Sequence, residues 1–107
     1  MRRLQGAICA VVLTSWGGLA QAQSDPLAMR SLAATCAACH GTDGRAVSGA
    51  GMTSLRGLDR AYLLAQLNAF RDGTRPATVM HQIAKGYTPE QLEQLAGYFA
   101  GLPRVAP

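Results

Sequence analysis

The sequence predicts an all-α fold gathered around one bound group, and three observations carry that prediction. Apolar residues recur at helical spacing in separate stretches bounded by capping residues, and no stretch alternates with the period of a strand. Glycines cluster between two of those stretches, as in a loop able to lie close against a flat ligand. The run Cys36-Ala37-Ala38-Cys39-His40 has the spacing of a covalent attachment site for c-type haem. Its two thiols suit thioether bonds to porphyrin vinyl groups, and the adjacent His40 can reach the iron as proximal ligand. The same run could be a redox dithiol or half of a zinc site. The first needs strands alternating with helices around it and the second needs a further ligand pair, and the sequence has neither.

Arg2 and Arg3, an apolar stretch from Ala7 to about Leu19, and Ala20-Gln21-Ala22 follow one another in the order of a secretory signal peptide. Residues 1–22 are therefore expected to be cleaved, leaving 23–107 as one domain in the periplasm. The apolar stretch is shorter than the roughly 20 residues a spanning helix needs, so no stable membrane insertion is expected after cleavage. Cys9 leaves with the leader, and the motif uses both remaining cysteines. Losing Arg2 and Arg3 takes two charges from a formal net charge of +4. That balance, without a basic run or interleaved aromatics, argues against a nucleic-acid binder. A domain of this length is marginal for a self-sufficient core, and a buried haem would act as both core and staple.

Pro26 suits the first turn of a helix, and an Ala- and Leu-rich helix is expected from about Leu27 to Ala38, delivering the cysteine motif near its end. Gly41 stops it. Met29, which precedes the motif, reads as a packing residue. The stretch from Gly41 to Gly57 holds five glycines in a spacing that fits neither a P-loop nor a dinucleotide fingerprint, so it is read as wrapping rather than phosphate binding. Asp59 caps a helix expected over about Arg60 to Arg71, with Leu63, Leu67 and Phe70 on one face and Gly73 as terminator. From Thr74 to Tyr87 there is no strong helical period, and a second iron ligand is sought there. Thr88-Pro89-Glu90-Gln91 is a helix start with a capping box, followed by the stripe Leu92, Leu95, Ala96 and Phe99 and ended by Gly101 and Pro103. One motif and no internal repeat imply one haem.

Taken in order, these elements resemble the class I c-type cytochromes, over essentially all of residues 23–107. The segments Cys36–Gly44, Ala69–Met80 and Ile83–Leu92 are similar to the cytochrome c4 type and, within it, to the cytochrome subunits of flavocytochrome c sulfide dehydrogenases. The resemblance implies that Cys36 and Cys39 hold haem c covalently, that His40 is the proximal ligand and Met80 the distal ligand. It also implies that the first and last helices cross near Leu32 and Tyr98 or Phe99. Many relatives have a proline near the position of Thr53, whose carbonyl accepts the proximal histidine's ring N–H. Any backbone carbonyl can do this, so its loss bears on loop rigidity rather than on ligation.

Chemistry alone also favours Met80, since a thioether on a loop can reach an open axial position. Met52 is the rival, but it lies close after His40 in the chain and would have to cross to the other haem face. His81 would give a bis-histidine iron, and its alternative is a partly exposed loop histidine. With both axial positions filled, the expected activity is outer-sphere transfer of single electrons by a protein that is not itself an enzyme. The resemblance implies a haem subunit accepting electrons from a sulfide-oxidising flavoprotein. The alternatives are a free carrier to a terminal oxidase or other reductase, a haem enzyme or ligand sensor with an empty distal site, and a thiol–disulfide oxidoreductase using Cys36 and Cys39. Arg71, Arg75 and Lys85 flank the methionine loop, either as a basic rim for an acidic partner or as ordinary solvated charges.

Overall fold

A computed structural model describes residues 25–105, which are helical with no strand among them. The leader assigned to residues 1–22 lies outside this range. The helices are α1 Pro26–Ala34, α2 Ala37–His40, α3 Arg60–Asp72, α4 Met80–Lys85 and α5 Pro89–Ala100, with a 3₁₀ turn at Thr42–Gly44. Asp25 caps α1 by accepting the Leu27 N–H at 3.0 Å, and Pro26 takes the first helical position.

The motif does not ride on one continuous helix. α1 stops at Ala34, and α2 restarts at Ala37. The break lies at Thr35, whose hydroxyl donates to the Leu32 carbonyl at 2.7 Å while the Thr35 and Cys36 N–H groups make i to i−3 bonds to Leu32 and Ala33. A β-branched hydroxyl residue that bonds back to its own helix tightens the turn and lets the axis bend there. Helical i to i−4 bonding resumes with the His40 N–H on the Cys36 carbonyl at 3.0 Å. Gly41 then ends the motif at φ 80°, where a Cβ would run into the Arg45 carbonyl.

The expected stripe of α5 is the heart of the core: Leu92, Leu95, Ala96 and Phe99 are all buried. Leu95, Ala96 and Phe99 form one cluster with Ala33 of α1 and Leu63 of α3, and Met29, Leu32 and Tyr98 pack against it. α1 lies against α5, and α3 against both α4 and α5. The glycine-rich loop is pinned to this core by backbone bonds: Leu55 N–H to the Gly44 carbonyl at 2.8 Å and Gly57 N–H to the Phe99 carbonyl at 2.8 Å. Gly44 is buried against the Phe99 ring, and a Cβ there would approach it to 2.9 Å.

The stretch from Thr74 to Tyr87, expected to be irregular, contains α4. A helix of six residues is less than two turns, too short for its apolar spacing to register as a period. Ala84 is its fully buried point. α5 begins as its sequence demands, with the Thr88 hydroxyl accepting the Gln91 N–H at 3.2 Å and the Gln91 side chain accepting the Thr88 N–H at 2.9 Å.

Candidate haem site

The helices enclose a cleft of about 310 Å³. α2 contributes Cys39 and His40 to its lining, and Cys36 enters from the turn just before α2. α4 contributes Met80 and Ile83, α3 contributes Leu63, Leu67 and Phe70, and α5 contributes Leu95, Ala96 and Phe99. The face of α3 read from the sequence as apolar is thus one wall of the cleft. Cys36, Cys39, His40 and Met80, the first and last of them 44 positions apart in sequence, share one mostly apolar space.

The histidine is oriented by the loop. His40 Nδ1 lies 2.7 Å from the Thr53 carbonyl oxygen. A carbonyl can only accept, so Nδ1 carries the proton, and Nε2 of the neutral ring keeps its lone pair for a metal. The backbone carbonyl at the position expected to accept this bond therefore does so without a proline. The two motif thiols are free, and no group of three or more His, Cys, Asp or Glu that could hold a bare metal ion occurs among the described residues. Two thiols, an imidazole with an available Nε2, a thioether and an apolar lining fit a haem rather than a chelated ion.

Burial pushes the Cys36 thiol above its usual range, only partly opposed by the neighbouring Thr35 hydroxyl. A thiol–disulfide active site needs the reverse, a thiol held down so that thiolate is present at neutral pH.

Met52 also lines the cleft, from the glycine-rich loop, with 40% of its surface exposed. His81 does not line it, and its Nδ1 is buried without a hydrogen-bond partner among the described residues. Of the three basic residues near the methionine loop, only Arg75 reaches the lining. Glu90, at the start of α5, has its carboxyl held below its usual range first by a backbone N–H and then by Thr88, with the charge of Arg71 adding a smaller effect.

Sequence reading missed Gln66, which lines the cleft beside Leu63, Leu67 and Phe70. Its signal was a lone amide one turn after Tyr62 on an otherwise apolar face. It also missed Thr35, whose hydroxyl lies 2.6 Å from that of Tyr87 and which lines the cleft next to Cys36.

The cytochrome c family model matches residues 29–103. The chain is 41% identical over 73 residues to the cytochrome subunit of sulfide dehydrogenase of Chlorobaculum tepidum, covering 68% of this chain and 64% of that one. It is 34% identical to the thiosulfate dehydrogenase electron acceptor of Stutzerimonas stutzeri, covering 78% of this chain and 36% of that one. It is 36% identical to cytochrome c4 of Pseudomonas aeruginosa, covering 78% of this chain and 41% of that one. The chain thus spans less than two thirds of the length of each of these three relatives. The match over residues 29–103, with the helical fold and the likeness to these cytochromes, means that the chain belongs to the cytochrome c family, whose members carry covalently bound haem c and act as electron carriers.

Proposed function

We propose that this chain is an exported, periplasmic monohaem cytochrome that passes single electrons by outer-sphere transfer, working as the haem subunit that accepts electrons from a sulfide-oxidising flavoprotein. In this reading residues 1–22 are the cleaved leader and 23–107 the haem domain. The observation that carries it is the shared cleft of Cys36, Cys39, His40 and Met80, with His40 Nδ1 committed to the Thr53 carbonyl.

Each residue then has a task. Cys36 and Cys39 would hold the haem through thioether bonds, each thiol adding across a vinyl group, sulfur to one carbon and hydrogen to the other, with no oxidant consumed. His40, through Nε2, and Met80, through its thioether, would hold the iron. Haem bound there supplies a one-electron couple, which a methionine ligand biases toward the reduced state. The leucines and Phe70 that line the cleft would keep water from a group bound there. Met52 is the weaker distal candidate because its chain neighbour Thr53 holds His40, so Met52 would have to cross at once to the opposite haem face.

Support for the partner comes from the resemblance across Phe70 to Leu92 and from the likeness to the sulfide dehydrogenase cytochrome subunit of Chlorobaculum tepidum. A diffusible carrier is the second reading, favoured by the likeness to a protein described as the electron acceptor of thiosulfate dehydrogenase. The central claim is tested on protein matured in a cell competent for cytochrome c assembly. A denaturing gel stained for haem and an intact mass should show residues 23–107 plus one covalent haem, and the reduced protein should fail to bind carbon monoxide. A chain without covalent haem would sink the reading, and carbon monoxide binding would move it to the sensor class.

A further inference from the structure

Thr53, whose carbonyl oxygen lies 2.7 Å from His40 Nδ1, is exposed and belongs to no helix. Water competes for that carbonyl, and a threonine leaves free the φ that a proline at this position would fix. The next two residues supply a restraint. Ser54 Oγ donates to the Gly44 carbonyl at 2.9 Å, and the Leu55 N–H donates to the same oxygen at 2.8 Å, so both of its lone pairs are used. Ser54, unlike Thr53, is half-buried. Gly44 is itself fixed: its N–H donates to the Gly41 carbonyl at 2.9 Å, and it lies buried against the Phe99 ring. The stretch from His40 to Gly44 and the bonds from Ser54 and Leu55 thus close a ring that returns to the imidazole through the Thr53 carbonyl.

The two bonds to Gly44 have different tasks. Leu55 fixes the peptide plane after Ser54, whereas the Thr53 carbonyl belongs to the plane before it, and the soft dihedrals of Ser54 lie between them. Only the Ser54 hydroxyl pins the residue that joins the two planes. Resting on the haem assignment above, we propose that Ser54 stands in for the missing proline: fastened to Gly44, it holds the Thr53 carbonyl on His40 and is a positioning residue that lowers the reduction potential of the iron. The sign follows from ligand basicity. A carbonyl that accepts the Nδ1 proton makes Nε2 a more basic donor. A more basic donor favours the more positive ferric state, so a firm bond lowers the potential and a slack one raises it.

The competing role is plain loop stability, in which Ser54 adds one hydrogen bond and leaves His40 as it is. The experiment compares haem-loaded wild type with Ser54→Ala and with the double variant Ser54→Ala, Thr53→Pro. The Thr53 N–H makes no backbone hydrogen bond among the described residues, so a proline there removes none. Two quantities are read: the potential, by equilibrium redox titration, and the rate at which the His40 Nδ1 proton of the reduced protein exchanges with deuterated water, by NMR. Ser54→Ala should raise the potential and speed the exchange about two- to tenfold, the factor one hydrogen bond supports. Adding Thr53→Pro should return both toward wild type, which a role confined to loop stability does not require. Ser54→Ala with wild-type potential and exchange, whatever its denaturant midpoint, overturns this inference alone. A double variant that behaves as Ser54→Ala does overturns it too. Should Ser54→Ala not accumulate with haem, a double variant that accumulates with wild-type values supports the inference, and one that also fails overturns it. A wild-type chain without covalent haem overturns the haem assignment and this inference with it.

Discussion

The Tyr87 hydroxyl lies 2.6 Å from Thr35 Oγ1, joining the turn before Cys36 to the residue just after α4. Thr35 already donates its own proton to the Leu32 carbonyl at 2.7 Å, so Tyr87 is the donor in this pair. One hydroxyl thus ties the helix that carries Met80 to the break that sets the angle of the cysteine motif.

Tyr87→Phe removes that donor and little else. Thr35 keeps its bond to Leu32, so the expected loss is that of one neutral hydrogen bond, about 1 kcal/mol. Urea unfolding of the haem-loaded protein should show a lower midpoint at an unchanged slope. A midpoint equal to wild type would mean the tether contributes nothing.

Met80→Ala is expected to abolish the weak sulfur-to-iron charge-transfer band of the ferric protein and to lower its potential, because a methionine ligand favours the reduced state. Met52→Ala should change neither, although Met52 lines the same cleft. Visible spectra and redox titration of the two variants decide between them, and the reverse outcome would reassign the distal ligand.

What the sequence made legible was whatever is written locally. The Thr88-Pro89-Glu90-Gln91 start and the stripe from Leu92 to Phe99 depend on residues within two turns of one another, and both match the structure. Cys36, Cys39 and His40 were legible because the chemistry needs them adjacent. The break at Thr35 was not, since an Ala-rich stretch reads as continuous helix until one asks where a threonine hydroxyl will bond. α4 was hidden by its brevity. The entry of Met52 and Arg75 into the cleft depends on how two loops travel through space, which no local pattern encodes.

Tyr98 donates to Asp43 Oδ1 at 2.8 Å, across 55 positions of sequence. Asp43 sits at φ 52°, a left-handed conformation that costs a non-glycine residue energy, in the turn directly after the motif. The bond to Asp43 first, and burial second, raise the Tyr98 hydroxyl above the usual tyrosine range. A raised folded-state value means that the native state holds its proton longer than the unfolded chain. The stabilisation is therefore complete below about pH 10 and is lost as pH climbs through the folded value. Tyr98→Phe should cost about 1–2 kcal/mol at neutral pH, the worth of a hydrogen bond to a carboxylate. Its stability should also fall less steeply than that of wild type above about pH 10. Denaturant midpoints at pH 7 and across the alkaline limb check both parts, and parallel alkaline limbs would remove Tyr98 as their cause.

The partner is tested by what salt does to the complex. Val79 and Ile83, on either side of Met80, line the cleft yet remain 49% and 38% exposed, so the edge beside Met80 presents apolar surface. An interface built on such contact keeps its affinity when charges are screened, because the Debye length falls to roughly 3 Å at 1 M salt while burial of apolar area is unaffected or strengthened. A carrier that docks through charge behaves in the opposite way, with association slowing steeply as ionic strength rises. For a haem subunit bound to a flavoprotein, haem absorbance and flavin fluorescence should elute together from a sizing column loaded with native extract, at low salt and again at high salt. Val79→Lys, which puts a charge into the apolar edge without touching a thiol or an axial ligand, should then release haem to the monomer position while leaving its spectrum intact. Haem found only at the monomer position in the wild-type extract under both conditions would count against the subunit and favour the diffusible carrier.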